Sequence, residues 1–250
     1  MSARPFLGIG VAALAGAVLV GAYGTASAGP RGTCTAIGKS GYAYAGHQAG
    51  RPGHGVRATI TVTRAEVAAG HVASWVGVGG PGQGATGGNA WIQVGVATVP
   101  AMGTMLYAEI TREGHAPRFV QLEGDVAYGL SHRVAVLEIA GRPGWWRVWV
   151  DGEPATGAVH IRGSSGRWSP VATAESWNGG QAACNRFSYR FEGVSVAQAK
   201  GGAWRPFVPR FRFLQSGYRL RQLTSSPDSA RSLSAQTPVL PYAFVAASGS

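Results

Sequence analysis

Ala90-Trp91-Ile92-Gln93-Val94-Gly95-Val96 is the stretch whose reading decides the fold. Side chains alternate across a strand, so Ile92, Val94 and Val96 share one face, and Trp91, Gln93 and Gly95 share the other. One face suits a core, while the second sets a carboxamide beside an indole. The same alternation recurs twice. Leu106, Ala108 and Ile110 oppose Tyr107 and Glu109, and in Ala172-Thr173-Ala174-Glu175-Ser176-Trp177 the alanines oppose Thr173 and Glu175. An economical arrangement places the three polar faces on one concave sheet, with Trp75 and Trp149 beside them. A glutamine and a glutamate on such a face are the groups that activate water and steady an oxyanion, which points to a hydrolase.

The rest of the chain repeats this β grammar. Gly55 to Val62, His71 to Val78, Met105 to Ile110, His132 to Ala140, Trp145 to Val150, Val171 to Ser176 and Phe187 to Val196 read as strands. Gly/Pro-rich turns separate them, as in a β-sandwich. Asp151-Gly152 signals a tight hairpin, because both positions favour positive φ. Pro81 to Asn89 is a glycine-rich loop, and Arg64 to Gly70 is a loop or one or two helical turns. From residue 199 to 250 arginines mix with aromatics and then serines, and this tail is expected outside the core and partly disordered. The sandwich domain is accordingly set at residues 29–198.

Residues 1–28 carry Arg4, an apolar run from Phe6 to about Tyr23, and the small-residue sequence Ala26-Ser27-Ala28. That is the pattern of a secretory signal cleaved before Gly29, leaving no membrane span and an extracellular protein. Cys34 and Cys184, the two cysteines, are then expected to form one disulfide. It would close a loop of about 150 residues and contribute on the order of 4–5 kcal/mol. The formal charge is +11. The arginines are scattered rather than run together, so a nucleic-acid partner is not expected. No metal-ligand spacing occurs among the histidines and cysteines, and no cofactor or metal is expected. The histidines, His71 and His132 included, are read as surface or loop residues. A monomer is expected.

Gly-x-Ser-x-Gly, His-Glu-x-x-His and a phosphate-binding loop are all missing, which disfavours serine hydrolase, zinc protease and nucleotide chemistry. Four segments in order resemble another group. Ser74-Trp75-Val76-Gly77-Val78-Gly79-Gly80, Trp91 to Val96, Leu106-Tyr107-Ala108-Glu109 and Ala174-Glu175-Ser176-Trp177 are similar to the motifs of the glutamic peptidases, or eqolisins. The resemblance spans roughly Gly55 to Val196. It implies a concanavalin-A-like antiparallel sandwich of the jelly-roll type and a peptidase active in acid, with a polypeptide substrate. Gln93 matches the catalytic glutamine and Glu175 the catalytic glutamate, while Trp75, Trp91, Tyr107 and Glu109 would line the substrate cleft. The chain departs from the pattern at Gly79, where the family has an aspartate. It departs again at Leu106, which replaces an aromatic, and at Ser176, which displaces the following tryptophan.

Other readings of the same residues stand beside this one. Gln93 could simply bond a neighbouring strand, and Glu175 could pair with an arginine such as Arg147. A non-catalytic module would use Trp75, Trp91 and Tyr107 to stack on an extracellular or cell-wall glycan. A glycoside hydrolase would use Glu109 and Glu175 as its carboxyl pair.

Overall fold

The computed structural model describes residues 41–179, 184–223 and 242–248. The signal-like segment, Cys34 and the serine-rich stretch from Thr224 to Thr237 lie outside the described residues, so the expected disulfide involves a residue not described.

The described chain is all-β. In order it forms β1 (Tyr42–Ala49), β2 (Gly55–Glu66), β3 (His71–Gly80), β4 (Ala90–Val99), β5 (Gly103–Thr111) and β6 (Arg118–Glu123). Then come β7 (Ser131–Glu138), β8 (Trp145–Val150), the short β9 (Glu153–Pro154) and β10 (Val159–His160), and β11 (Val171–Trp177). The chain ends through β12 (Arg186–Ala199), β13 (Gly202–Pro206), β14 (Pro209–Leu214), β15 (Tyr218–Gln222) and β16 (Tyr242–Ser248). One sheet runs β14-β1-β11-β3-β4-β5-β6, and the other β10-β8-β7-β2-β12-β16-β15, with β9 on β8 and β13 on β12. Every pairing is antiparallel, and the two sheets stack as a sandwich.

Alternation builds the core. The first sheet turns inward Val72, Val76, Val78, Ile92, Val94, Val96, Leu106, Ala108 and Ile110. They meet Val56, Ile60, Val134, Val136, Trp146, Val148, Phe191 and Phe244 of the second. Each fully buried large apolar side chain is worth roughly 1.5–3 kcal/mol. The hairpin at Asp151-Gly152 forms as expected, with φ of 51° and 98° and Val150 opposite Glu153. Arg64 to Gly70 holds no helix; β2 continues through Glu66.

The expected end of the domain near residue 198 is corrected. β14 extends the first sheet alongside β1, and β16 pairs with β12 while β15 pairs with β16. Tyr242, Phe244 and Ala246 are core residues, and Tyr218 and Leu220 pack on them. In β14 and β15 arginines alternate with aromatic and aliphatic residues, so a basic composition conceals a period of two. Phe244 is fully buried and stacks on Phe191 with centroids 4.5 Å apart. Phe244→Ala should therefore cost about 3–5 kcal/mol in urea unfolding. A loss below about 1 kcal/mol would mean that the terminal strand adds nothing to the core.

Candidate functional site

The outward face of the first sheet carries the predicted polar residues in register. Glu175 of β11 stands opposite Tyr44 and Ala73, and Ala73 stands opposite Ala97. The next row on that face is Thr173, Trp75, Gly95 and Tyr107. After it come Val171, Gly77, Gln93, Glu109 and Phe119. Gly79, Trp91 and Thr111 form the last row. Large side chains thus alternate with alanines and glycines, which leaves a floor beneath a ring of walls. Gly95 has to lack a side chain, because a Cβ there would sit 1.8 Å from the carbonyl oxygen of Ser74.

The floor lets Gln93 and Glu175 line one cleft, together with Trp75, Trp91, Tyr107 and Glu109. The enclosed space is about 30 Å³, room for one or two water molecules. Gln93 and Glu175 are not directly bonded. β3 separates their strands, so their backbones are roughly 10 Å apart across the sheet and offset along it. The bonds they make fall in the row between them, where Glu175 meets Trp75 and Gln93 meets Tyr107. Among the described residues no group of three or more His, Cys, Asp and Glu could hold a metal ion.

Each carboxyl has an indole donor. Trp75 Nε1–H donates to Glu175 Oε2 at 2.9 Å, and Trp91 Nε1–H donates to Glu109 Oε1 at 2.9 Å. His71 Nε2 lies 3.4 Å from Glu175 Oε1, with both side chains buried. Gln93 Nε2–H donates to the Tyr107 hydroxyl at 3.3 Å. Burial, then the charge of Glu175, pushes Glu109 up to about 8, against the pull of its Trp91 bond. Burial and, next, the charge of Glu175 also raise the phenols of Tyr42, Tyr44 and Tyr107, which stay protonated donors.

Several expectations change here. Glu175 pairs with Trp75 and His71, and Arg147 lies on β8 of the other sheet. Trp149 is also on β8, far from this face. His71 and His132 are buried rather than exposed, His71 in the cleft and His132 against Asp151 at 2.9 Å. The reading of the sequence missed Tyr42, Tyr44 and Phe119 as cleft walls. The first two lie in Tyr42-Ala43-Tyr44-Ala45, an alternation that identifies a strand once it is looked for. Gly79 acquires a reason of its own. Its φ is +87°, and a Cβ would fall 2.4 Å from the Ala90 carbonyl oxygen and 2.9 Å from Trp91 Cα. An aspartate cannot stand there without moving the backbone.

No family model matches the chain, and no curated protein matches it in sequence. Solved structures do match. Scytalido-glutamic peptidase with a peptide-based transition-state analogue superposes with a TM-score of 0.51 at 13% identity, over 83% of this chain and 98% of that one. The fold is glutamic-peptidase-like. SCP-B, an Eqolisin-family peptidase in complex with the tripeptide Ala-Ile-His, gives a TM-score of 0.48 at 14% identity over the same shares. An alginate lyase from Pseudomonas aeruginosa gives 0.42 at 13% identity, over 60% of this chain and 66% of that one. At 13% identity over 83% of the chain, the likeness to scytalido-glutamic peptidase is one of fold.

Glu109 makes the cleft pH-sensitive. Its folded value of about 8 lies above the ordinary 4.5, so between those limits the folded chain holds a proton that the unfolded chain releases. Stability is therefore lost as pH rises through that window. Glu109→Gln keeps an acceptor for the Trp91 N–H and removes the titration. Urea unfolding at pH 6.5 and pH 8 should show the unaltered protein losing on the order of 1–2 kcal/mol and the variant distinctly less. Equal losses in both would contradict the burial of a protonated Glu109.

Proposed function

We propose that the protein is a secreted, glutamic-type acid endopeptidase in which Glu175 and Gln93 act on one water molecule. What supports this reading is that both side chains line one cleft on the outer face of a glutamic-peptidase-like sandwich. Glu175 takes a proton from the water as it attacks the peptide carbonyl, then returns it to the leaving amine. The Gln93 amide N–H donates to the oxyanion. Trp75 and His71 fix the two oxygens of Glu175, so the carboxylate needs little reorganisation. Glu109, kept protonated to about 8, leaves the cleft without a second negative charge under acidic and neutral conditions. The substrate lies across the opening as an extended polypeptide, since the enclosed space takes only water. Secretion belongs to the proposal and rests on the signal-like sequence of residues 1–28.

Glycan stacking has less support. Trp75, Trp91 and Tyr107 are 7%, 6% and 2% exposed, which leaves little ring face for a sugar. A glycosidase pair has less too, because two strands separate those carrying Glu109 and Glu175.

The purified mature chain should cleave denatured protein at acidic pH. Glu175→Gln should lower kcat by about 10²–10⁴-fold, and Gln93→Ala by about 10²–10³-fold, with each variant as stable as the parent. Cleavage that survives Glu175→Gln, or none at any acidic pH, would overturn the reading.

A further inference from the structure

The outer face of the second sheet holds a groove that the proposed hydrolysis does not use. Its walls are Arg57 of β2, Arg133 and Leu137 of β7, Trp149 of β8 and Trp204 of β13, around a space of about 330 Å³. Arg57 stands opposite Ala135, and Ala135 opposite Trp149, so a small residue forms the floor between an arginine and an indole. The β12–β13 hairpin brings Trp204 over from the far side. The Arg57 guanidinium lies 4.5 Å from the Trp204 ring centroid.

Among the described residues neither Arg57 nor Arg133 forms a salt bridge. The nearest carboxylate in register is Asp151, and its oxygens are bound to His132 Nδ1 at 2.9 Å and to the Arg133 backbone N–H at 2.7 Å. Glu192 beside Thr59 is paired with Arg190 at 2.7 Å. Arg57 and Arg133 are diagonal neighbours across adjacent strands, a spacing at which like charges repel. Burial first and Arg133 second lower the proton affinity of Arg57. An anion seated between them relieves that repulsion, and two guanidinium groups offer a carboxylate paired N–H donors.

We propose that this groove binds an acidic polysaccharide, one uronic-acid unit at a time. The carboxylate sits between Arg57 and Arg133, and the sugar ring rests against Trp149 and Trp204. Its volume is that of a small-ligand pocket and too small for a protein face. The floor is the middle of a sheet, whose backbone groups are already spent on the ladder, so a peptide finds no main-chain partners there. A sugar needs none, because its C–H faces pack on indoles and its charge meets the arginines. The groove lies on the outer face of one sheet and the proposed catalytic cleft on the outer face of the other. The protein can therefore hold to an anionic matrix while its cleft stays open.

The full chain, carrying Glu175→Gln so that hydrolysis plays no part, is titrated with a galacturonic acid hexamer and followed by tryptophan fluorescence and calorimetry. Saturable binding is expected. It should weaken at least tenfold with the fully methyl-esterified hexamer, and at least tenfold again in separate Arg57→Gln and Arg133→Gln variants of unchanged melting temperature. The parent with Glu175 intact should bind equally well, which separates this site from the cleft. Absence of saturable binding would overturn the proposal. So would equal affinity for the methyl ester, insensitivity to both arginine substitutions, or tighter binding to poly-glutamate or to a thymidine oligonucleotide.

Discussion

Everything in this molecule depends on the register of the antiparallel ladder β11-β3-β4-β5. Its period of two sends valine, isoleucine, leucine and alanine to the core, and tryptophan, glutamine, glutamate and tyrosine to the opposite face. A slip of one residue would reverse every side chain. Gln93, Glu109 and Glu175 would then enter the core unpaired, while Ile92, Val94 and Ile110 faced solvent. Core stability and cleft chemistry therefore enforce the same register. The alanines and glycines of the polar face complete the constraint, since a larger residue at Gly95 or Gly77 would collide with the neighbouring strand.

The cleft is acidic within a strongly basic chain. It contains two glutamates, a histidine and no arginine or lysine among its lining residues. Burying carboxyls is costly unless donors meet them, and here each is met by an indole N–H. The resulting pH dependence has two opposed sides. Glu109 makes the fold less stable as pH rises from about 4.5 to about 8. His47 sits between Tyr242 and Phe244, and burial followed by the charge of Arg212 pushes it down from 6.5 to about 4. The unfolded chain binds that proton more readily, so stability is lost as pH falls through the same range. The two trends offset one another between about 4.5 and 6.5, which sets a mildly acidic plateau.

Much of this was legible before the structure. The alternation around Gln93, Glu109 and Glu175 predicted strands, their faces and a shared polar side. The Asp151-Gly152 turn was legible because its chemistry is local. Which strands lie side by side was not, since period two fixes a face and says nothing of the neighbour. Trp149 shares the polar-face pattern of Trp75 yet belongs to the other sheet, and His71 gained its role only when β3 was laid beside β11. The arginines of β14 and β15 concealed a strand pattern under a composition typical of tails. Gly79 looked like a lost carboxylate, and the Ala90 carbonyl and Trp91 backbone leave no room there for a Cβ.

The most direct test is a crystal structure at acidic pH, resolved well enough to place ordered water in the cleft. One water within about 3 Å of both the Gln93 carboxamide and the Glu175 carboxylate, with Trp75 still bonded to Glu175, is the predicted result. A Glu175 carboxylate closed off by Trp75 and His71, with no water reaching it from the side of Gln93, would contradict the account.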